Sequence, residues 1–134
     1  MLAENIISDL RRIVGSENVL TAKEDLIPYW FDGTAALQQR PGCVLFTKTA
    51  AEISTILKLA NEKNFAVVTR GSGTGLSGGS IPSKDCVVLC TVKMDKILEV
   101  DRANLTMLVE PGVTTLTIFE AANAVGLFYP RDPG

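Results

Sequence analysis

The chain has 134 residues, 46% hydrophobic and 21% charged, with a formal net charge of −2. This balance describes a globular chain able to bury one core, and it excludes the basic surface of a nucleic-acid binder or a membrane-surface helix. There is no histidine, which also excludes Ser-His-Asp and Cys-His catalytic layouts and most zinc sites.

The N-terminal stretch MLAENIISDLRR carries Glu4 and Asp9 where a secretory leader would carry positive charge. Apolar runs such as Phe65-Ala66-Val67-Val68 are too short to span a bilayer. The chain is expected to be cytoplasmic, or peripheral to a membrane through a partner. The cysteines, Cys43, Cys86 and Cys90, lack CxxC spacing and lie in strand-like apolar runs. They read as small core residues in a reducing compartment.

In chain order, Ile6, Ile7, Leu10, Ile13 and Val14 recur at helical spacing and predict a helix over Ala3 to Val14, stopped by Gly15. Asn18 to Leu20 reads as a short extended piece. Thr21-Ala22-Lys23-Glu24 fits a capping box for a short helix ended by Pro28. Tyr29 to Arg40 has little periodicity. Its cluster Tyr29-Trp30-Phe31 is expected to be partly buried, either as plain packing or as a wall facing a ligand. Residues 1–40 form an N-terminal helical segment, and from Pro41 the pattern sharpens.

Cys43 to Thr47 predicts a strand. Thr49-Ala50-Ala51-Glu52 is a second capping box, opening a helix to about Lys63 with Ile53, Ile56, Leu57 and Ala60 as its buried stripe. Asn64 suits the left-handed residue that closes it. Phe65 to Thr69 is a nearly all-apolar strand, as expected of one covered on both faces. Strand, helix, strand at this spacing is a βαβ unit with a parallel pair. Cys86 to Val92 is a further strand. Ile97 to Asp101 and Leu105 to Glu110, joined through Asp101-Arg102-Ala103-Asn104, predict an antiparallel hairpin. Thr114 to Val125 is a last helix, with Leu116, Phe119, Ala122 and Val125 on its inner stripe, and Gly126 stops it.

Between the strands at 65–69 and 86–92 stands Arg70-Gly71-Ser72-Gly73-Thr74-Gly75-Leu76-Ser77-Gly78-Gly79-Ser80. A phosphate-binding P-loop is a poor match, because Gly79 stands where GxxxxGK needs lysine. Gly73 to Gly78 matches GxGxxG literally. A dinucleotide fingerprint also needs a helix to start within it, and Pro82 followed by a strand leaves no room. A free-standing loop whose amides converge on an anion fits better: glycine lets the anion approach the backbone, Ser72, Thr74 and Ser77 add hydroxyls, and Arg70 adds charge. A flexible surface linker is the bland alternative.

The stretch from Val67 to Gly79 resembles the pyrophosphate loop of the FAD-linked oxidases, the vanillyl-alcohol-oxidase or PCMH-type flavoprotein superfamily. Within it, the chain is similar to the glycolate oxidase flavin subunits and FAD-dependent D-lactate dehydrogenases. Thr47 to Ile53, Met94 to Asp101, Val109-Glu110-Pro111-Gly112-Val113 and Leu127 to Gly134 resemble further family segments in order. The resemblance implies an α+β fold: a PCMH-type FAD-binding domain over 41–134, incomplete, with a small parallel βαβ lobe, the start of an antiparallel lobe, and the glycine loop between them. It implies that Arg70, Gly71, Ser72, Gly73, Thr74, Gly75, Leu76, Ser77, Gly78 and Gly79 cradle the FAD diphosphate. Pro111 and Gly112 would line the cofactor groove, and Pro130, Asp132, Pro133 and Gly134 would approach the flavin end.

Thr74 stands where some relatives carry the histidine that tethers flavin, so the FAD is expected to be non-covalent. Arg131 stands where the family often has a second proline. The resemblance implies a parent enzyme that oxidises a small 2-hydroxy acid such as glycolate or D-lactate and passes electrons to partner subunits or a quinone. No catalytic residue is assigned here. The Pro/Gly-rich end reads as a loop leading on, so the chain is expected to be the front of a longer protein, inactive by itself. A nucleotide- or phosphate-binding module without catalysis is the alternative. The open edge of the hairpin at 97–110 is expected to pair with another copy, or to fray. Solution scattering should then show self-association or a loosened chain, and a compact ordered monomer would contradict both.

Overall fold

The computed structural model describes residues 2–34 and 36–130, which divide into two compact units at Lys93/Met94. No described helix is long and apolar enough to cross a membrane.

In the first unit, α1 (Glu4–Val14) presents Ile6, Ile7, Leu10 and Val14 inward at helical spacing and ends where Gly15 turns to φ 91°. A 3₁₀ turn over Ser16–Asn18 follows. Asn18 is fully buried and satisfied: its amide donates to Val14 O at 2.6 Å, and its Oδ1 accepts from Lys93 Nζ at 2.6 Å. Then come β1 (Val19–Leu20), α2 (Lys23–Leu26) and a 3₁₀ turn over Ile27–Tyr29. The capping box expected at Thr21 does not form. Ala22 is the N-cap of α2 and no side chain caps it, while Pro28 sits inside the 3₁₀ turn rather than ending the helix. The helix starts one residue later than the box implies, so the cap position falls on Ala22, which has no side-chain acceptor.

Next come β2 (Cys43–Phe46), α3 (Ala50–Lys63), β3 (Val67–Arg70) and β4 (Val87–Cys90). The box at Thr49 does form. Glu52 N donates to Thr49 Oγ1 at 3.2 Å, and Glu52 Oε2 accepts from Thr49 N at 3.3 Å and Lys48 N at 2.7 Å. Asn64 closes α3 at φ 55°. Ile56 and Ala60 are buried as expected, but Leu57 is exposed and Leu59 packs on the core instead. The reason is α1, which lies beside α3 and shifts the covered arc toward Leu59.

The sheet order is β1-β2-β4-β3. β1 is antiparallel to β2, whereas β2 and β3 both run parallel to β4. The expected βαβ unit is present, but its two strands are not neighbours, because β4 inserts between them. It is therefore β4, buried at every position, that is covered on both faces, while β3 lies at the sheet edge and is only partly buried. The registers align Val44, Val88 and Val68 in one row and Phe46, Cys90 and Arg70 two rows on. Alternation sends Cys43, Leu45, Val87 and Leu89 to a core with α1 and Ile56. It sends Val44, Val88 and Cys90 to a second core with Leu26, Tyr29 and Trp30.

In the second unit, β5 (Ile97–Asp101) and β6 (Thr106–Val109) form the expected antiparallel hairpin, with a bulge between Ile97 and Glu99. Asp101 shapes the turn by accepting from the amides of Ala103 and Asn104, both at 3.0 Å, and Leu105 takes φ 55°. In α4 (Thr115–Ala124), Thr114 Oγ1 caps Thr117 N at 3.2 Å. Leu116 is exposed, correcting its expected inward place. Ile118 and Ala122 instead line an apolar groove of about 480 Å³ with Val100, Met107, Val109 and Phe128. Leu116 precedes Ile118 by two residues, about 200° round the helix, so it faces away from the groove. Gly126 ends the helix at φ 75°, with Leu127 N returning to Ala122 O at 2.9 Å.

Removing the hydroxyl that caps α3 (Thr49→Ala) should cost about 1 kcal/mol. Thr21→Ala, which removes no cap, should stay within about 0.5 kcal/mol of the parent. Urea midpoints for the pair measure both.

Candidate functional site

The loop after β3 joins two parallel neighbours without a helix, running from the C-terminal end of β3 back to the start of β4. Such a connection must cross the length of the sheet. Its first stretch starts at the C-terminal edge, where open α/β sheets place their ligands. No helix forms over 71–86, so the literal GxGxxG does not open a dinucleotide fingerprint.

Two of the five glycines answer to conformation. Gly73 and Gly78 both take φ 76°. At Gly73 a Cβ would also run into the guanidinium of Arg70. Gly71 and Gly75 are different. Neither takes positive φ, and a Cβ on either would meet nothing within 4 Å. Nothing in the described fold requires a bare backbone at these two positions.

Three carbonyls of this stretch are held by the rest of the first unit. Arg70 O accepts from Thr91 N at 2.9 Å, Gly71 O accepts the Cys90 thiol at 3.6 Å, and Gly75 O accepts from Gly33 N at 2.9 Å. In a planar trans peptide the next N–H points opposite the carbonyl. The N–H groups of Gly71, Ser72 and Leu76 therefore face away from those partners. Ser72, Thr74, Leu76 and Ser77 are exposed, which leaves their hydroxyls and backbone open to a ligand. These residues fit an anion with several oxygens, such as a diphosphate: bare backbone, outward N–H groups, hydroxyls, and no acidic side chain within the loop.

Arg70 sits differently from its expected place in the cradle. It is only 7% exposed. Nη1 donates to Phe31 O at 2.6 Å, Nη2 donates to Pro28 O at 3.2 Å, and the guanidinium lies 5.4 Å from the Tyr29 ring centre. Pro111 and Gly112 lie in the second unit, on the turn leaving β6, where Gly112 N donates to Met94 O at 2.8 Å and Glu110 N to Lys96 O at 2.9 Å. Pro130 is exposed. Arg131, Asp132, Pro133 and Gly134 lie outside the described residues.

The sequence did not single out Asp32 and Gly33. A Cβ on Gly33 would meet Gly75 O at 2.8 Å and Thr74 O at 2.9 Å, so only glycine permits this approach to the loop. Asp32 is 5% exposed, and its Oδ1 accepts from the Thr34 hydroxyl and, at 2.8 Å, from Thr34 N. Those two hydrogen bonds hold its carboxyl below the ordinary range. Burial opposes the shift, and the Ser80 amide and the Arg70 charge assist it. Asp32 Oδ2 and Trp30 Nε1 are buried without a hydrogen-bond partner among the described residues. The one available signal was the Asp-Gly pair beside an apolar cluster, a turn dipeptide. The cysteines are buried and free, and burial, aided by Cys86, pushes the Cys43 thiol up to about 12. They serve as core residues.

The family of FAD binding domains matches residues 41–134, well over half the chain. The chain belongs to that family. It is 38% identical to the glycolate oxidase subunit GlcD of Bacillus subtilis over 133 residues, covering 99% of this chain and 28% of the relative. It is 45% identical to the D-lactate dehydrogenase of Archaeoglobus fulgidus over 91 residues, covering 68% of this chain and 20% of the relative. The chain thus spans about a quarter of the length of the curated relatives it matches. Among solved structures, p-cresol methylhydroxylase with substrate bound superposes with a TM-score of 0.81 at 26% identity, covering 92% of this chain and 25% of that one. Alkyldihydroxyacetonephosphate synthase gives 0.87 at 17% identity, over 99% of this chain and 27% of that one, and shares the fold alone. The architecture is that of PCMH-type FAD-binding domains, as the resemblance implied, with FAD as the family's cofactor.

The depressed Asp32 carboxyl contributes stability that is complete above the ordinary Asp range near pH 4 and is lost as pH falls through its lower folded value. Asp32→Asn should therefore be less stable than the parent at neutral pH, with the gap closing in acid. Urea midpoints at several pH values test this, and a gap independent of pH would contradict it.

Proposed function

We propose that this chain is the FAD-binding part of a flavin-dependent dehydrogenase or oxidase of 2-hydroxy acids, of the glycolate or D-lactate type. The FAD diphosphate rests non-covalently on the backbone of Gly71–Gly79. The observation that carries the cradle is the pair Gly71 and Gly75, bare without a conformational or packing reason, beside N–H groups turned away from the protein. Relatives named glycolate oxidase, D-lactate dehydrogenase and D-2-hydroxyglutarate dehydrogenase support the substrate class.

Bound FAD supplies a two-electron acceptor for oxidation of an alcohol to a carbonyl. This chain's residues bind and orient it. Ser72, Thr74 and Ser77 donate hydroxyls to the diphosphate, and Thr74 offers no ring nitrogen for a covalent link. Pro111, Gly112, Pro130, Asp132, Pro133 and Gly134 enter this reading through the family resemblance alone, as further FAD-binding residues. No group in the chain is assigned to deprotonate the substrate. Two relatives are named as subunits of glycolate oxidase, which supports electron-transfer partner subunits for the whole protein. Exposed Leu98, Leu105 and Leu108 on the hairpin support self-association.

Titration with FAD, followed by flavin fluorescence, should show binding, with inorganic pyrophosphate competing better than AMP. Gly75→Ala places a methyl in open space, so stability should hold within about 0.5 kcal/mol while FAD affinity falls about tenfold or more. No flavin response at high concentration, or unchanged affinity in the variant, would remove the cradle.

A further inference from the structure

Arg70 is the obvious cation beside a loop suited to an anion, yet its terminal nitrogens are spent on two carbonyls of one distant segment. The sheet explains why. Arg70 shares a row with Phe46 and Cys90, on the face that Tyr29 and Trp30 cover. Its side chain is therefore directed under the loop rather than along it.

We propose that the segment Pro28–Thr34 is a clamp that sets the shape of the glycine loop, and that Arg70 positions the loop through this clamp instead of contacting the anion. What the loop binds rests on the diphosphate reading above; the clamp itself rests on contacts within the first unit. The clamp grips at two points. At the loop's start, the guanidinium donates to Pro28 O and Phe31 O, and the missing Cβ of Gly73 lets the first turn wrap over it. At the loop's middle, Gly33 N donates to Gly75 O at 2.9 Å, and the two backbones come so close that Gly33 tolerates no side chain.

The clamp is anchored to the sheet where Tyr29 packs edge-on against Phe46 with ring centres 6.1 Å apart. Within it, the Thr34 amide and hydroxyl donate to Asp32 and fix its turn. A buried guanidinium satisfied by two carbonyls is costly to withdraw, because each would lose a charge-assisted bond. With Gly75 O engaged, the Leu76 N–H is turned outward. The clamp thus orients the backbone N–H groups and leaves them to supply the positive potential.

Amide hydrogen exchange on the FAD-free chain tests this. Arg70→Met should speed exchange about tenfold or more across both 28–34 and 71–80 while β2 and β4 stay protected. Gly33→Ala breaks the second grip with no change of charge and should do the same. It decides the matter if Arg70→Met also loosens the sheet. In FAD titrations across salt concentrations, both variants should bind more weakly with the parent's salt dependence. Unchanged loop exchange in Gly33→Ala would overturn the clamp. A salt dependence flattened in Arg70→Met alone would overturn the positioning role by showing a direct charge contact. If the parent chain binds no FAD, the diphosphate reading fails, and the exchange data still decide the clamp.

Discussion

The insertion of β4 between β2 and β3 is the constraint on which the first unit depends. Three parallel strands in register form rows across the sheet, and because side chains alternate faces, each row commits to one core. Cys43, Leu45, Val87 and Leu89 go to α1 and α3. Val44, Val88 and Cys90 go to the face covered by α2 and the Tyr29–Trp30 segment. A one-residue slip would exchange the two sets and bury the wrong side chains throughout. The same rows send Arg70 beneath the loop and bring Cys90 against Gly71 O.

That arrangement also explains why a phosphate-type loop works here without a helix. In a dinucleotide fingerprint the helix N-terminus aligns the amides and adds its dipole. Here Pro82 and the early start of β4 leave no helix to do so. Alignment comes from the carbonyl side: Thr91, just past β4, holds Arg70 O, the Cys90 thiol holds Gly71 O, and Gly33 holds Gly75 O. Each carbonyl held on the protein side turns the next N–H the other way.

Much of this was legible from local signals. The Thr49–Glu52 capping box, the left-handed Asn64 and the stop at Gly126 are short-range backbone chemistry, and each appears where expected. The hairpin at 97–109 followed from its alternation and from Asp101 at the turn. Neighbours distant in sequence were not legible. Leu57 and Leu59 both fit an inner stripe, and only the position of α1 decides between them. Phe65 to Thr69 is apolar enough for a central strand yet lies at the edge, because strand order is a long-range choice. Thr21-Ala22-Lys23-Glu24 has the letters of a capping box, yet the helix starts one residue further on and leaves Ala22 at the cap.

By itself the sequence determined the glycine loop and the exclusion of a helix after it, since Pro82 and the apolar run from Cys86 are local facts. It also determined the family resemblance that the FAD binding domain match bears out. Tertiary structure alone decided what holds the loop. Phe31 O, 39 residues from Arg70 in sequence, takes its guanidinium, and Gly33 meets Gly75 backbone to backbone. The physical reason is that a carbonyl acceptor carries no residue identity. Any residue could have supplied the oxygens of Pro28, Phe31 and Gly75, and the glycine at 33 marks a turn without saying which backbone it meets.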